Sequence, residues 1–413
     1  MKKSFLSILL ATTALVTNTF AETWDCSPEG STGTCTATLD ANGKMTISGT
    51  GPMKDWTYTN NNGNRTTNTP WFSKIGQITS VEIEDGITTV GLGAFQKATN
   101  LTSVSIPTSV TSISDRAFES AGLVNLTLPN SVQSIGFSSF AWTNLQTLDI
   151  PSSVTSIGQW AFGRTYSLET VNFPASLTDI GALSFYESGV QNVTLPSSLE
   201  TIRHELFSFT SIESIEIPAS VKTIEYNAFN QSDLKSITFA EGLESIGYRA
   251  FRLTPLEEIV LPDTVKYIDS EAFSNCLQLQ TLTFSPTDDL VIAPNAFWEV
   301  EHMITFMCAG EMSKCEAKMT AAGYSKGSYT MQQAAYDIKD ENGKKIRHVN
   351  ADGTYYDYPD EAAGVLQPDG STKFVDENGR ITYKGKRIYT VEEAREVVEA
   401  AGTDTVNFKI KYK

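Results

Sequence analysis

A unit of 22 to 24 residues repeats ten times in succession, beginning at Ile78, Leu101, Leu123, Leu145, Leu168, Val190, Ile212, Leu234, Leu256 and Leu279. In the unit from Leu101 to Gly122, apolar side chains fall at positions 1, 4 and 6, then at 10 and 13, and Phe stands at 18. Phe95, Phe118, Phe140, Phe162, Phe185, Phe207, Phe229, Phe251 and Phe273 share position 18, and Phe297 follows a one-residue insertion. One such unit cannot bury its own apolar face, whereas stacked units bury a common core through nearest-neighbour contacts. The repeat therefore predicts a solenoid with parallel strands spaced by ~4.8 Å.

Position-by-position chemistry supports that reading. Val104 and Ile106 alternate with polar neighbours, the pattern of a short strand with one buried face. Position 7 is Pro in seven units (Pro107, Pro129, Pro151, Pro174, Pro196, Pro218 and Pro262), and Pro cannot donate to a sheet ladder, so each strand should stop there. Ser109, Ser131, Ser153, Ser176, Ser198 and Ser220 follow at position 9, where a hydroxyl can satisfy backbone groups of the turn. The pair Val110 and Ile113 should bring the chain back across the core, with Phe118 closing the coil. A small residue at position 21, such as Ala121, Thr143 or Cys276, permits close backbone packing. The expected class is an α/β-type repeat solenoid with a parallel β-sheet, an amino-terminal β cap and a small β-rich carboxyl module with one helix.

The motif L-x-x-ϕ-x-ϕ-P-x-S-ϕ-x-x-I-x-x-x-A-F resembles the leucine-rich repeats of the bacterial BspA-like (treponemal-type) family across residues 78–302. Residues 35–56 and 69–95 are similar to that family's amino-terminal cap. The chain departs from the pattern at position 21, where only Cys276 keeps the family's frequent Cys, and at Glu84, Ala240 and Ser285, which replace Pro. The resemblance implies an extracellular, surface-associated interaction protein, in some members an adhesin for host matrix proteins.

Residues 1–21 read as a signal peptide. Lys2 and Lys3 precede the apolar run Phe5 to Val16, and small residues stand near Ala21. That run is too short to span a bilayer, which needs ~20 apolar residues. Export to the medium, the cell surface or the periplasm is the expected localisation. In an oxidising compartment Cys26/Cys35 and Cys308/Cys315 can close small disulfide loops, whereas spacings of nine and seven without neighbouring His fit zinc poorly, and Cys276 is left over. Residues 22–77 should cap the solenoid with a hairpin from Cys35 to Ser48, sealed by Trp24, Trp56 and Trp71, and residues 60–68 read as a loop. Residues 303–323 form the expected carboxyl cap. From 324 to 413, four Asn-Gly or Asp-Gly turn signals predict a β meander, and Thr390 with Glu393 opens a helix over 390–401.

Three His in 413 residues, and no Walker, H-E-x-x-H or G-x-S-x-G motif, point to a non-catalytic protein with no catalytic residue, cofactor or metal to assign. The formal charge of −17 disfavours nucleic acid and anionic membrane surfaces as partners. Residues 78–302 hold 26 acidic and 9 basic side chains, so a protein partner of the solenoid should be basic rather than acidic. Candidate partner residues are Phe137, His204, Tyr226 and Tyr248 at position 15, Trp160 at 16, and Trp142 and Phe209 at 20. If they face outward they stack into an aromatic stripe, and if they fold under the turns they belong to the core. The expected function is a protein-protein interaction or adhesion scaffold. A glycan-binding module, using the same aromatics and the polar Ser/Thr/Asn sheet face, is the alternative.

Overall fold

The structure, a computed structural model, describes residues 21–61, 64–300, 304–339 and 344–357, and strands at 364–366, 372–375 and 381–382. The chain divides into two compact units, Met1–Ser198 and Leu199–Lys413. Most of the expected leader (residues 1–20) and the helix expected over 390–401 lie outside the described residues.

Both units are parallel-strand β-solenoids, with two short strands in most turns rather than one. In the first unit Ser80–Ile83 pairs in parallel with Ser103–Ser105, and Thr147–Asp149, Thr170–Asn172 and Asn192–Val193 form a second set. The turn beginning at Leu123 forms no first strand, and no neighbouring contact explains the gap. In the second unit Ser214–Ile217, Ser236–Phe239, Glu258–Val260 and Thr281–Phe284 continue in parallel through Thr305–Cys308 to Thr330–Gln333, beyond the last repeat at His302. The single sheet expected from positions 4 and 6 is joined by another at positions 12 and 13. Thr89–Val90, Ser112–Ile113, Ser134–Ile135, Ser156–Ile157 and Asp179–Ile180 pair in register, as do Thr201–Ile202 through Val291–Ile292 in the second unit. After the proline the chain reverses, and its next extended backbone meets the equivalent segment of the preceding turn, which satisfies its polar groups.

The third side of each coil contains no helix among the described residues of the repeats. Positions 16 and 20 instead hold non-glycine residues at positive φ, among them Arg116 (53°), Trp142 (58°), Trp160 (63°), Phe209 (58°) and Leu253 (59°). Each such residue costs about 1–3 kcal/mol. The conformation closes a regular double pattern of bonds. Phe118 and Ser120 donate N–H to Ser139 and Ala141 of the next turn, while Glu119 and Ala121 donate within their own turn to Arg116 and Phe118. Complete pairing of an otherwise helix-free backbone offsets the strain.

Side chains fasten turn to turn. The position-9 hydroxyls reach back to the preceding coil: Ser109 to the Ile87 carbonyl (2.7 Å), Ser131 to Val110 (2.6 Å), Ser198 to Leu177 (2.6 Å) and Thr264 to Leu243 (2.8 Å). Thr143, Thr165, Thr210, Ser232 and Thr254 at position 21 donate to the carbonyl of the Phe three residues earlier. The Phe rings stack along the core, with centroids 5.3 to 5.6 Å apart from Phe95 to Phe185 and 5.3 to 5.8 Å apart from Phe207 to Phe297.

At the amino end, Glu22–Asp25, Cys35–Leu39 and Lys44–Gly49 form an antiparallel meander whose last strand pairs in parallel with Ser80–Ile83. The Cys26–Cys35 disulfide holds its start. Trp71 is fully buried, donates its indole N–H to the Ala94 carbonyl (2.8 Å) and packs against Trp24, Trp56 and Phe95. The Asn-rich run expected to be a loop is instead part of an antiparallel hairpin, Tyr58–Asn61 with Asn64–Thr67. At the other end, the Cys308–Cys315 disulfide joins a solenoid strand to the α-helix Met312–Ala321, which lies within the segment expected as the carboxyl cap. Tyr324 accepts the Phe297 N–H (2.9 Å). The antiparallel strands Tyr336–Lys339, Lys345–Val349 and Tyr355–Asp357 form one sheet, and Gly364–Leu366, Thr372–Val375 and Ile381–Thr382 form another, as the turn signals imply.

Lys339 ties the first of these strands to the solenoid through Asp263 (2.8 Å). Burial pushes the Asp263 carboxyl up, but hydrogen bonds from Lys339 and Ser285 outweigh it and hold the pKa below the ordinary 3.8. A lowered carboxyl contributes stability above the unfolded value and loses it as pH falls through the folded value. Protection of the 336–339 amides against hydrogen exchange should therefore drop below about pH 4 in the wild type, and Lys339→Met should remove this pH dependence. In the core, Phe140→Ala should cost about 3–5 kcal/mol in denaturant unfolding. Cys276 is fully buried and its thiol is pushed up to about 11, so a thiol reagent near neutral pH should label it only after unfolding.

Candidate functional site

Positions 15, 16 and 20 project from the third side of the coil because the residues between them, such as Ala117 and Phe118, turn into the core. The aromatic candidates therefore lie on the surface, half-buried or exposed, and are not core residues. The structure gathers them into two groups, one in each unit.

In the first unit Trp142 and Trp160 stack with centroids 5.7 Å apart and planes within 6°, and Trp160 also meets Tyr186 (5.2 Å). The Trp160 ring lies over Gly163, where a Cβ would come within 2.4 Å of its Cε3. Glycine at position 19 is thus what lets this indole lie flat. The Arg116 guanidinium stands over Tyr58 (3.9 Å) and Phe137 (4.5 Å), and Arg164 stands over Trp142 (5.6 Å). Tyr58, Arg116, Phe137, Trp142, Trp160 and Arg164 line a cavity of about 370 Å³, together with the buried Glu119 and Ser138. Glu119, only 1% exposed, accepts from Gln96 Nε2 (2.6 Å) and pairs with Arg116 Nε (3.3 Å). Arg164 pairs with Glu187 (3.1 Å).

In the second unit the His204 ring stacks on Tyr226 (4.6 Å, 10°), and Glu225 accepts the His204 backbone N–H (2.8 Å) while lying 3.3 Å from its Nδ1. Tyr248 carries Arg249 over its ring (4.6 Å), and Arg249 pairs with Glu271 (2.8 Å). Phe209, Tyr226 and Leu253 are 39%, 45% and 36% exposed. Burial, and then the charges of Glu205 and Glu225, push the Tyr226 phenol upward, so it stays a neutral donor. Among the described residues no three His, Cys, Asp or Glu side chains gather as metal ligands would.

Sequence reasoning thus found seven members of these groups and missed others. Arg116 and Arg164 occupy the same columns 16 and 20 and were findable by extending the column reading to cations that stack on aromatics. Tyr58 comes from outside the repeat, and no periodicity could have placed it.

The chain is similar in fold to several solved bacterial proteins. A leucine-rich repeat protein from Eubacterium ventriosum matches at 18% identity over 67% of this chain and 88% of its own, with a TM-score of 0.41. One from Bacteroides ovatus matches at 20% identity over 72% and 98%, with a TM-score of 0.32. A leucine-rich cell surface protein from Faecalibacterium prausnitzii matches at 20% identity over 71% and 97%, with a TM-score of 0.31. No curated protein matches the sequence. The BspA type leucine rich repeat region model matches residues 65–190 and 178–304, more than half of the chain. The repeats, their stacked Phe column and this match agree: the chain belongs to the BspA-type leucine-rich repeat family.

Proposed function

We propose that this chain is an exported, non-catalytic scaffold that binds an extracellular protein through the aromatic surface of its second unit. The observation that carries this reading is the exposure of Phe209, Tyr226 and Leu253 in neighbouring columns of one coil face, beside Glu205, Glu225 and Glu271. Exposed aromatic and aliphatic side chains held on a rigid scaffold are the anchors of protein interfaces, and they bury apolar area at little cost in ordering. The surrounding charge fixes the kind of partner. Residues 199–302 carry 17 acidic against 6 basic side chains, and three of the six, Lys235, Arg249 and Lys266, are already paired with acids of adjacent turns. A partner with Lys or Arg beside an apolar contact patch complements this surface, because a cation can settle on the Tyr226 ring near Glu225. Delivery to the cell surface or the medium is supported by the leader read at residues 1–21 and by the two disulfides.

A panel of immobilised basic and acidic extracellular proteins, probed with the full mature chain, tests the reading. Binding should concentrate on basic proteins, and Phe209→Ser/Tyr226→Ser/Leu253→Ser should weaken it by about a hundredfold, since two anchors of ~1–2 kcal/mol each suffice for that loss. The three sites are exposed, so the melting temperature should hardly move. Raising salt from about 0.05 to 0.5 M should slow association, because steering between opposite charges is screened. Equal binding by the triple variant, or a preference for acidic proteins, overturns the assignment.

A further inference from the structure

We propose that the cavity in the first unit is a binding site for a terminal sugar acid, a saccharide ring bearing a single carboxylate. The cavity, about 370 Å³, lies within the ~300–1,000 Å³ range of small-molecule sites. Its lining includes Trp142 and Trp160, against whose indoles the C–H face of a sugar ring can pack, while Tyr58 and Phe137 hold the Arg116 guanidinium.

The polar groups specify an anion. Arg116 Cζ lies over two aromatic rings, 3.9 and 4.5 Å from their centroids, and a guanidinium presents its N–H donors in its own plane. Among the described residues its only ion pair uses Nε, so both Nη groups are free to bind a carboxylate in the bidentate manner of a guanidinium. Glu119 does not compete for them, since it is buried and already bonded to Gln96 and to Arg116 Nε.

Charge placement sharpens the ligand class. Residues 78–198 contain 9 acidic and only 3 basic side chains, Lys97, Arg116 and Arg164, and two of these three line one cavity. Each is paired with a glutamate, Arg116 with Glu119 and Arg164 with Glu187, so a small ligand with one carboxylate is drawn by directed guanidinium donors rather than by net charge, and screening confines the more distant acids to ~8 Å at physiological salt. A long polyanion crossing the acidic coils meets repulsion along its length. The site therefore suits the charged end of a glycan rather than a polyanionic chain. Nor does a protein carboxylate fit as well, since an Asp or Glu side chain offers no ring to cover the Trp142 and Trp160 surfaces.

The test uses the full mature chain with saturation-transfer NMR and tryptophan fluorescence. Probes are an oligosaccharide ending in N-acetylneuraminic acid, one ending in glucuronic acid, the carboxamide of each, heparin, and a peptide ending in Trp-Glu. At least one acidic oligosaccharide should bind and perturb the tryptophan emission, with its carboxamide about tenfold or more weaker, since a charge-assisted bidentate contact is lost. Arg116→Gln should reproduce that loss for the acid and leave the carboxamide unchanged. Because Arg116→Gln also removes a partner of the buried Glu119, Trp142→Ser serves as a second variant and should abolish binding. Leu277→Ser, an exposed residue of the other unit, should have no effect. Equal affinity for acid and carboxamide, tighter binding of heparin or of the peptide, or no binding of either acidic oligosaccharide at millimolar concentration overturns the proposal.

Discussion

Register between successive turns is the constraint from which everything else in this protein follows. A 22-residue coil buries nothing by itself, so its stability comes from landing on an identical neighbour. A nearly constant turn length of 22 to 24 residues makes that possible, and the position-9 hydroxyls check it. Ser131 bonds to the Val110 carbonyl 21 residues earlier and Ser153 to Val132, so a slip of one residue would break every such bond together. The same register places Phe118 on Phe140 and Phe140 on Phe162, with planes within 9° and 2°. Where a residue is inserted before Phe297, the ring still stacks on Phe273, at 5.8 Å, because the extra residue is absorbed in the turn rather than in a strand.

The third side of the coil shows how a scaffold can generate a surface. Alternating β-turns with left-handed residues at positions 16 and 20 close the coil in a short span. Bulky side chains at those positions are disfavoured locally, so Trp142, Trp160, Phe209 and Leu253 gain nothing from the backbone conformation they occupy. Nor does core burial account for them, since they stand outside it. Placing large apolar side chains at strained, outward positions is difficult to explain by folding alone, and it agrees with use as a contact surface.

Much of this was legible because periodicity reports burial. The Phe column, the alternation at positions 4 and 6, and the Cys35–Gly49 hairpin follow from spacing and turn chemistry alone. The second sheet did not, because most of its strands are two residues long and Ser112–Ile113 carries no alternation to read. The left-handed positions were invisible for a related reason. Glycine is the usual sign of positive φ, and here Arg116, Ser138 and Glu205 adopt it instead. The strands Tyr58–Asn61 and Asn64–Thr67 hid behind Asn and Gly, which favour turns, and the helix Met312–Ala321 has no side-chain cap and buries only Cys315 and Met319. The candidate site was half legible: the columns predicted which aromatics share a face, but Tyr58 enters the cavity from the cap, beyond any repeat-based rule.

Charge separates the two units more sharply than fold does. In the second unit most basic side chains with a visible partner serve the scaffold. Lys235 meets Glu213 (2.6 Å), Lys266 meets Glu244 (2.7 Å) and Arg249 meets Glu271 (2.8 Å), each across one turn. Exposed pairs of this kind add only ~0–1 kcal/mol apiece, but they relieve like-charge repulsion between acidic coils and leave the remaining carboxylates facing solvent. In the first unit the basic side chains are fewer, and Arg116 spends one donor on the fold while its stacked guanidinium keeps the others at the cavity edge. The same repeat, with the same register and nearly the same core, thus presents an acidic aromatic surface in one unit and an arginine-edged aromatic cavity in the other. Since core positions are fixed by stacking, only the outward columns are free to differ, and specificity in such a scaffold can be rewritten there without disturbing the fold.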